Sequence, residues 1–211
     1  MFYKMIASLV FIFCADCLHS ETIFTYREQE TSKDVRYEYD RQLLNLALQK
    51  TQEKYGPYKL VPSKFGANER RSQVDAENGV YENFFFKQSA TPELMNNFAY
   101  IPFPVDRGIV GYRVAFLSTK TKEKLKQVKT LADLKHMTIL QGVGWLDAEI
   151  LQRQGFNVIL SGYFDPMFQM VARNRVDLFF RGVNELYDEW QSHRQIPDLT
   201  YDECSGQVLM K

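Results

Sequence analysis

The sequence is poor in cysteine and histidine, and it has no excess of either charge. Among its 211 residues, lysine and arginine total 26, and so do aspartate and glutamate. A chain with balanced charge has no long-range field that would draw it to nucleic acid or to an anionic membrane, so we expect neither partner. Two of the three cysteines, Cys14 and Cys17, lie in an N-terminal segment that we expect to be removed. Cys204 alone cannot form an intrachain disulfide, so a packed core must hold the fold together.

Residues that support metal or nucleophilic chemistry are few and unfavourably spaced. His136 and His193 have no second ligand at a spacing typical of zinc sites. Cys204 has no histidine close to it in sequence, and Ser161 lacks the glycine two positions earlier that a nucleophile elbow requires. We therefore predict no metal, no cofactor and no catalytic residue.

The N-terminus has the pattern of a secretory signal peptide. Lys4 makes the start basic, an apolar run follows over Met5–Phe13, and Leu18–Ser20 is short and polar. The apolar run is shorter than the roughly 20 residues that a membrane-spanning helix needs. We predict that residues 1–20 are a signal peptide and that the mature protein is periplasmic. A cut after Cys17 and a buried N-terminal strand or helix are the alternatives.

After residue 21, short apolar runs alternate with amphipathic segments. Thr22–Tyr26 is β-branched and aromatic, which is typical of a strand, and Tyr39–Glu53 has leucines at helical spacing. An order of strand, helix, strand, helix, strand predicts a parallel sheet with helices on its faces. Further strands are predicted over Tyr58–Val61 and Val80–Phe86, a helix over Ala67–Ala76 and a helical turn over Thr91–Leu94.

A segment with two prolines and a glycine, Ile101–Gly108, interrupts this pattern, because a central strand or helix cannot accommodate them. We place a lobe boundary there. Lobe 1 is predicted to comprise residues 21–107, with residues 204–211 returning to it, and lobe 2 residues 108–203. Strands are predicted in lobe 2 over Gly111–Ser118, Met137–Leu140, Val158–Leu160 and Val176–Phe180, and helices over Leu131–Leu134, Asp147–Gln154, Pro166–Arg173 and Asn184–Trp190.

Three phrases in lobe 2, in this order along the chain, carry a family resemblance. They are Val128–Leu134, Thr138–Gly144 and Asn174–Phe180. With the first strand and the Leu43–Leu48 helix, they make the chain resemble the type II periplasmic binding proteins, in particular the family-3 extracellular solute-binding proteins of ABC-type amino-acid uptake systems. The resemblance implies an α/β fold of two lobes, each a mostly parallel sheet flanked by helices. It also implies hinges near Pro104–Gly111 and Cys204–Met210.

In such proteins, a glycine turn after a strand of the second lobe lies over the cleft between the lobes and begins a helix. The matching turn here is Gly142-Val143-Gly144, followed by Trp145. Unpaired N–H groups at a helix start attract carboxylate or phosphate, and glycine allows close approach. Trp145 is placed to stack on a ligand. The alternative is a strand-to-helix turn without a ligand, whereas a dinucleotide fingerprint would need a third glycine at Asp147.

The chain departs from the amino-acid-binding pattern at two positions. The arginine that usually follows the third strand is absent from Thr91–Leu94, and Arg181 stands where an aspartate is usual. Arg181 ends a predicted strand, which is where ligands bind in open α/β sheets, so it is a candidate for binding an anion. The alternative is an internal ion pair with Glu185, one helical turn away, which we also include in the ligand site.

Arg107 and Arg113 flank the predicted hinge and complete the candidate site, although strand alternation directs only one of Tyr112 and Arg113 to the cleft. The sequence thus predicts an exported, monomeric protein that closes around a small polar or anionic solute and presents it to an inner-membrane permease or sensor. One alternative is an enzyme of the same fold, similar to cyclohexadienyl dehydratases, with Glu185 and Asp147 as acid and base. Another is a sensory or vestigial ligand-binding domain.

Overall fold

The computed structural model describes residues 20–202, which form two β-sheets with helices around them. The sheets and their alternating helices confirm the predicted α/β class. The signal peptide predicted before Ser20, Cys204 and the returning segment 204–211 lie outside the described residues. Within residues 20–202, no helix is long and apolar enough to cross a membrane.

The first sheet has three parallel strands. Strand β1 (Thr22–Tyr26) lies in the middle, between β2 (Tyr58–Pro62) and β3 (Phe84–Phe85). This sheet confirms the parallel arrangement expected from the alternating pattern. The helices of this part of the chain are α1 (Glu38–Tyr55), α2 (Glu69–Glu77) and α3 (Pro92–Asn97).

The third strand is shorter than predicted. The prediction covered Val80–Phe86, but only Phe84 and Phe85 pair with β1. Asn83 has φ of 42°, which takes the chain out of strand geometry, and its side chain donates a hydrogen bond to the Ile23 carbonyl at 2.8 Å. A side-chain contact therefore replaces regular strand pairing just before β3.

The second sheet has five strands, in the order β6-β5-β7-β4-β8. Strands β5, β6 and β7 are parallel to one another, whereas β4 is antiparallel to both of its neighbours. The strands are β4 (Arg113–Ser118), β5 (Thr138–Gly142), β6 (Asn157–Ser161), β7 (Leu178–Gly182) and β8 (Leu199–Asp202). The helices are α4 (Thr119–Leu125), α5 (Leu131–Leu134), α6 (Leu146–Arg153), α7 (Asp165–Ala172) and α8 (Leu186–His193).

Strand β8 was not predicted. It has four residues and follows Asp198, whose φ is 64°, so its single alternation of Leu199 and Tyr201 with polar residues is too short to mark a strand in sequence. Its pairing with the fully buried strand β4, from Ser118 opposite Leu199, gives it a place in the sheet that only the tertiary structure provides. The lobe boundary predicted at Arg107 stays a prediction; Arg107 lies between the last strand of the first sheet and the first strand of the second.

The apolar core lies on both faces of the second sheet. One cluster centres on Phe116, Phe168 and Phe179, whose rings contact one another edge to face or tilted at centroid distances of 5.1–6.4 Å. Ala115 and Leu117, the neighbours of Phe116 along β4, belong to the cluster on the opposite face, as strand alternation requires. Around the first sheet, the described residues instead bury polar groups such as Arg27, just after β1, and Asp40, in α1. The second sheet is therefore the more apolar of the two.

We expect a single substitution to weaken the fold most clearly at Phe168. Its side chain is fully buried, so Phe168→Ala leaves a cavity and removes contacts with three aromatic neighbours. We expect the free energy of unfolding to fall by about 3–5 kcal/mol. Urea denaturation followed by circular dichroism measures this loss. Tyr187→Ala, at a site 71% exposed, is the control and should change stability by less than about 0.5 kcal/mol.

Candidate functional site

The two sheets meet at the carboxyl ends of their strands, the edge at which open α/β sheets bind ligands. From the first sheet come the segment after β1 and the start of α2. From the second come the turn after β5 and the residues that end β7. Asn68, which caps α2, donates a side-chain hydrogen bond to the Gly162 carbonyl at 3.2 Å. A Cβ on Gly144 would lie 2.9 Å from the Arg70 amide nitrogen, so the lobes are in direct contact here.

The glycine turn after β5 packs directly against the indole ring of Trp145. A Cβ on Gly142 would overlap the indole ring, with Nε1 at 2.5 Å, so only glycine leaves room for it. Two amides of the predicted anion-binding turn are already used: Val143 donates to the Ser161 carbonyl at 2.9 Å and Trp145 to the Gly142 carbonyl at 3.2 Å. The turn therefore offers fewer free donors than its sequence suggested.

Arg181 lies at the centre of the site and is 4% exposed. Its Nη2 atom lies 2.6 Å from a carboxylate oxygen of Glu185 and 2.6 Å from one of Glu189, while Nε donates to both oxygens of Glu189 at 2.9 Å. Its guanidinium lies 4.6 Å from the centre of a Trp145 ring. Of the two alternatives predicted for Arg181, the internal ion pair with Glu185 is thus present. Trp145 stacks on Arg181.

The carboxylates of Glu185, just before helix α8, and Glu189, within it, have opposite pKa shifts. Burial raises the pKa of Glu189 to about 7, despite the nearby charge of Arg181. Burial also acts on Glu185, but the Arg181 charge and the Gly182 amide, which donates to Glu185 at 2.7 Å, bring the pKa of Glu185 below its ordinary value. Glu185 is therefore the stable anion of the pair, and Glu189 is the carboxyl group that retains a proton more readily.

A second arginine approaches the same aromatic rings from the first lobe. Arg36 lies in the segment between β1 and α1, and its guanidinium is 3.7 Å from the ring centre of Phe164 and 6.0 Å from that of Trp145. It also forms ion pairs at 2.8 Å with Asp34 and with Glu30. Arg36 and Arg181 thus lie against the same two rings, with one guanidinium contributed by each lobe.

Glu69, the first residue of α2, interacts electrostatically with both arginines. Burial raises its pKa, and the charges of Arg27, Arg36 and Arg181 oppose that rise. Gln88 donates to its carboxylate at 3.3 Å. We call the following residues the inter-lobe charge cluster: Arg27, Arg36 and Arg181 with Glu30, Asp34, Glu69, Glu185 and Glu189.

Several polar atoms on the first-lobe side of this cluster have no hydrogen-bond partner. They are Arg27 Nη1, Tyr37 Oη and Gln88 Oε1, and all three are buried. The Arg27 guanidinium lies 4.1 Å from the ring centre of Tyr37, and both residues line a cavity of about 20 Å³, enough for roughly one water molecule. Buried polar atoms without partners are rare in folded proteins, so these atoms are available to bind a ligand or water.

The other two predicted site residues are Arg107 and Arg113, and of these only the Arg113 charge acts on the cluster, where with Arg181 it opposes the effect of burial on the pKa of Glu185. Arg113 is 8% exposed and forms an ion pair with Asp147 at 2.6 Å, at the first turn of α6. Tyr112 beside it is 65% exposed, so the expected alternation puts Arg113 inside. Arg107 is exposed, with φ of 51°, in the segment that joins the two sheets. The structure therefore brings together Gly142, Trp145, Arg181 and Glu185, with Val143 and Gly144 in the turn beside them.

The sequence reasoning missed several members of the site, including Glu189, Glu69 and Arg36. For Glu189, a signal was available, because Glu185, Glu189 and His193 recur every four residues and so lie on one face of a helix. For Glu69, the signal was its position just after the Asn68 cap, at a helix start facing the carboxyl edge of the sheet. Nothing in the local sequence of Arg36 indicates a partner about 130 residues further along the chain.

No protein-family model and no curated protein matches the chain. Solved structures do match it. An arginine-specific periplasmic binding protein of Salmonella typhimurium aligns over 86% of this chain and 77% of its own, with a TM-score of 0.59 and 13% identity. A solute receptor for L-cysteine of Neisseria gonorrhoeae aligns over 85% and 70%, with a TM-score of 0.54 and 11% identity. A protein from Listeria monocytogenes described as an L-cystine ABC transporter aligns over 84% and 74%, with a TM-score of 0.54 and 13% identity.

These likenesses establish the fold. The chain has the two-lobed α/β architecture of the type II periplasmic binding proteins and resembles their family-3 solute-binding group, at low sequence identity. The similar proteins named here are binding proteins or transporter components.

The close packing of Gly142 against Trp145 leads to a testable prediction. In Gly142→Ala, the new methyl group must displace an indole ring that contacts Arg181 and Phe179, so we expect a loss of about 1–3 kcal/mol in stability and a shift in tryptophan emission. Thermal denaturation and fluorescence spectra measure the two effects. Gly111→Ala is the matched control, because its Cβ would enter open space. Equal behaviour of the two variants would contradict the packing described for Trp145.

The raised pKa of Glu189 predicts a pH-dependent stability. Between its ordinary pKa of 4.5 and about 7, the folded state binds a proton that the unfolded state has lost, so the contribution of Glu189 to stability decreases as pH rises. As the pH rises through this range, the wild-type protein should lose stability relative to Glu189→Gln. The loss should be about 1.4 kcal/mol for each unit between the Glu189 pKa values of the unfolded and folded states.

The melting temperatures of the wild-type protein and of Glu189→Gln, measured from pH 4.5 to 8, test this expected difference in stability. Glu149→Gln, at an exposed pair with Arg153, is the control and should run parallel to the wild-type curve. A constant offset between wild type and Glu189→Gln across this range would show that Glu189 is ionised throughout.

Proposed function

We propose that the chain is an exported solute-binding protein that captures a small polar solute between its two lobes at the inter-lobe charge cluster. The observation that carries the proposal is the group of buried polar atoms without partners, on Arg27, Tyr37 and Gln88, at the strand edge that meets Arg181. The similar solved structures support it, because they include receptors for arginine and L-cysteine.

The charges of the cluster favour a solute with a positively charged group. Even when Glu189, whose pKa burial raises to about 7, carries a proton, the carboxylates Glu30, Asp34, Glu69 and Glu185 outnumber the three arginines of the cluster. The guanidinium of Arg181 is occupied by two carboxylates, which leaves it little capacity for an anionic solute. On the first-lobe side, Arg27 Nη1 is a charged donor without a partner, and the Tyr37 hydroxyl is a neutral one.

A zwitterion fits both features. Its carboxylate can accept from Arg27 Nη1, and its ammonium group can bind beside Glu69. This arrangement differs from the anion site expected at Arg181 and the glycine turn, and it places the anion-binding group on the other lobe. We therefore propose an amino acid or a related zwitterion as the solute class.

Closure of the lobes around the solute would then be the signal for a membrane partner. The segment between Phe98 and Arg113 joins the two sheets and is the proposed hinge. A permease or a sensor in the inner membrane would recognise the closed form, because only a ligand that binds one state better can shift the balance between open and closed. In this proposal the protein is a periplasmic monomer that begins as a precursor with residues 1–20 as its signal peptide.

A thermal-shift screen of amino acids, organic acids, sugar acids and small phosphates tests this function. A solute at 100 times its Kd should add about 2.7 kcal/mol of stability, or roughly 5–10 °C in melting temperature for a chain of this size. We expect shifts with zwitterions and not with dianions. Glu69→Gln should abolish them, because it removes the carboxylate proposed to bind the ammonium group.

Glu77→Gln is the matched control, since Glu77 is exposed on the same helix and should leave binding unchanged. If no compound in the screen raises the melting temperature, the result would favour a vestigial domain and contradict the proposal. Turnover of a hit, followed by mass spectrometry, would favour an enzyme. The structure gives that alternative little support, because Asp147 and Glu185 both lie in ion pairs, and the pKa of Glu185 is lowered by the Arg181 charge despite burial.

A further inference from the structure

Arg36 is enclosed as completely as a bound ligand. Its side chain is 6% exposed, its guanidinium faces the rings of Phe164 at 3.7 Å and Tyr37 at 4.9 Å, and Asp34 accepts from both Nε and Nη2 at 2.8 Å. Glu30 accepts a further bond from Nη2 at 2.8 Å. A planar cation between aromatic faces, with carboxylates along its edge, is how proteins recognise a guanidinium group.

The groups that enclose Arg36 come from both lobes. Asp34, Glu30 and Tyr37 belong to the segment between β1 and α1, whereas Phe164 immediately precedes α7 of the second sheet. Neither lobe alone provides the complete enclosure. The guanidinium of Arg36 therefore forms a bond between the lobes that lasts only while the cleft is closed.

The neighbouring contacts between the lobes converge on the same point. Glu30, which pairs with Arg36, also accepts a hydrogen bond from the Phe164 amide at 3.4 Å. Thr31 donates to Asp165 at 2.7 Å. The segment from Glu30 to Arg36 thus contacts the start of α7 through Glu30, Thr31 and Arg36.

We propose that Arg36 is an internal ligand: it occupies a guanidinium site between the lobes and holds them closed without any solute. Every group that binds it belongs to the chain itself, so closure needs no external molecule. A solute must therefore compete with Arg36 to enter the cleft, and its apparent affinity is reduced by the fraction of molecules that are open. This inference goes beyond the proposed solute binding and is independent of it, because it concerns the protein alone.

Small-angle X-ray scattering of the full chain without solute tests the proposal. The wild-type protein should have a radius of gyration near the ~17 Å of a compact chain of this length. Arg36→Ala should open the cleft and increase that radius. Low millimolar guanidinium ion should then restore the wild-type value by filling the vacated site, whereas urea, which has a similar shape but no charge, should not.

Two further variants make the result specific. Arg41→Ala removes a half-buried arginine that pairs with Glu38 inside helix α1, so its radius should remain that of the wild-type protein. Phe164→Leu removes the aromatic face on the opposite lobe while keeping an apolar side chain, and it should open the cleft as Arg36→Ala does. Circular dichroism establishes that each variant is folded, and if Arg36→Ala is not, Phe164→Leu provides the same test.

Two results would overturn the proposal. If both variants remain as compact as the wild-type protein, Arg36 does not hold the lobes together. If Arg36→Ala expands and guanidinium fails to compact it, Arg36 is a fixed structural part of the first lobe and not a replaceable cation. Neither result depends on a solute, so both are distinct from a failure of the proposed binding function.

Discussion

The structure depends on neutralising Arg181 inside the protein. A guanidinium group taken out of water is costly unless charge and hydrogen bonds surround it, and Arg181 lies 4% exposed at the end of a buried strand. Glu185 and Glu189, one and two turns along α8, supply that surrounding, and Trp145 covers the face of the cation. This requirement explains the orientation of α8, the glycine at position 142 and the position of the indole ring.

The same requirement extends to the first lobe. Glu185 carries negative charge at the strand edge, where the charges of Arg181, Arg113 and Lys87 act on it, and the second-lobe side of the cleft also offers the aromatic faces of Trp145 and Phe164. Arg36 brings a second cation to those faces, together with carboxylates of its own. The first lobe, which buries polar groups where the second buries phenylalanines, is therefore joined to the second mainly through charge and aromatic contacts.

The sequence predicted the elements well where the apolar pattern is long and regular, and poorly where tertiary contacts decide. Strand β1 and helix α1 were found within two residues of their ends, because their patterns fit one period clearly. Strand β8 was missed and β3 was predicted too long, since pairing with a neighbour and a positive φ at Asn83 determine them. The Arg181–Glu185 pair was foreseeable from helical spacing, whereas Arg36 meets Phe164 only through the docking of two lobes, which no local pattern encodes.

Charge balance also links the closed conformation to the chemistry of a solute. The cluster has more carboxylates than arginines even with Arg36 in place, and removing Arg36 from the aromatic faces would leave that excess larger. A solute that displaces Arg36 must therefore bring positive charge of its own, or the displaced state is less favourable than the closed one. A solute carboxylate can be accommodated only at a free donor, and Arg27 Nη1 is such a donor. The proposed selection for a zwitterion over an anion would thus depend on the same carboxylates that pair with Arg181 and Arg36.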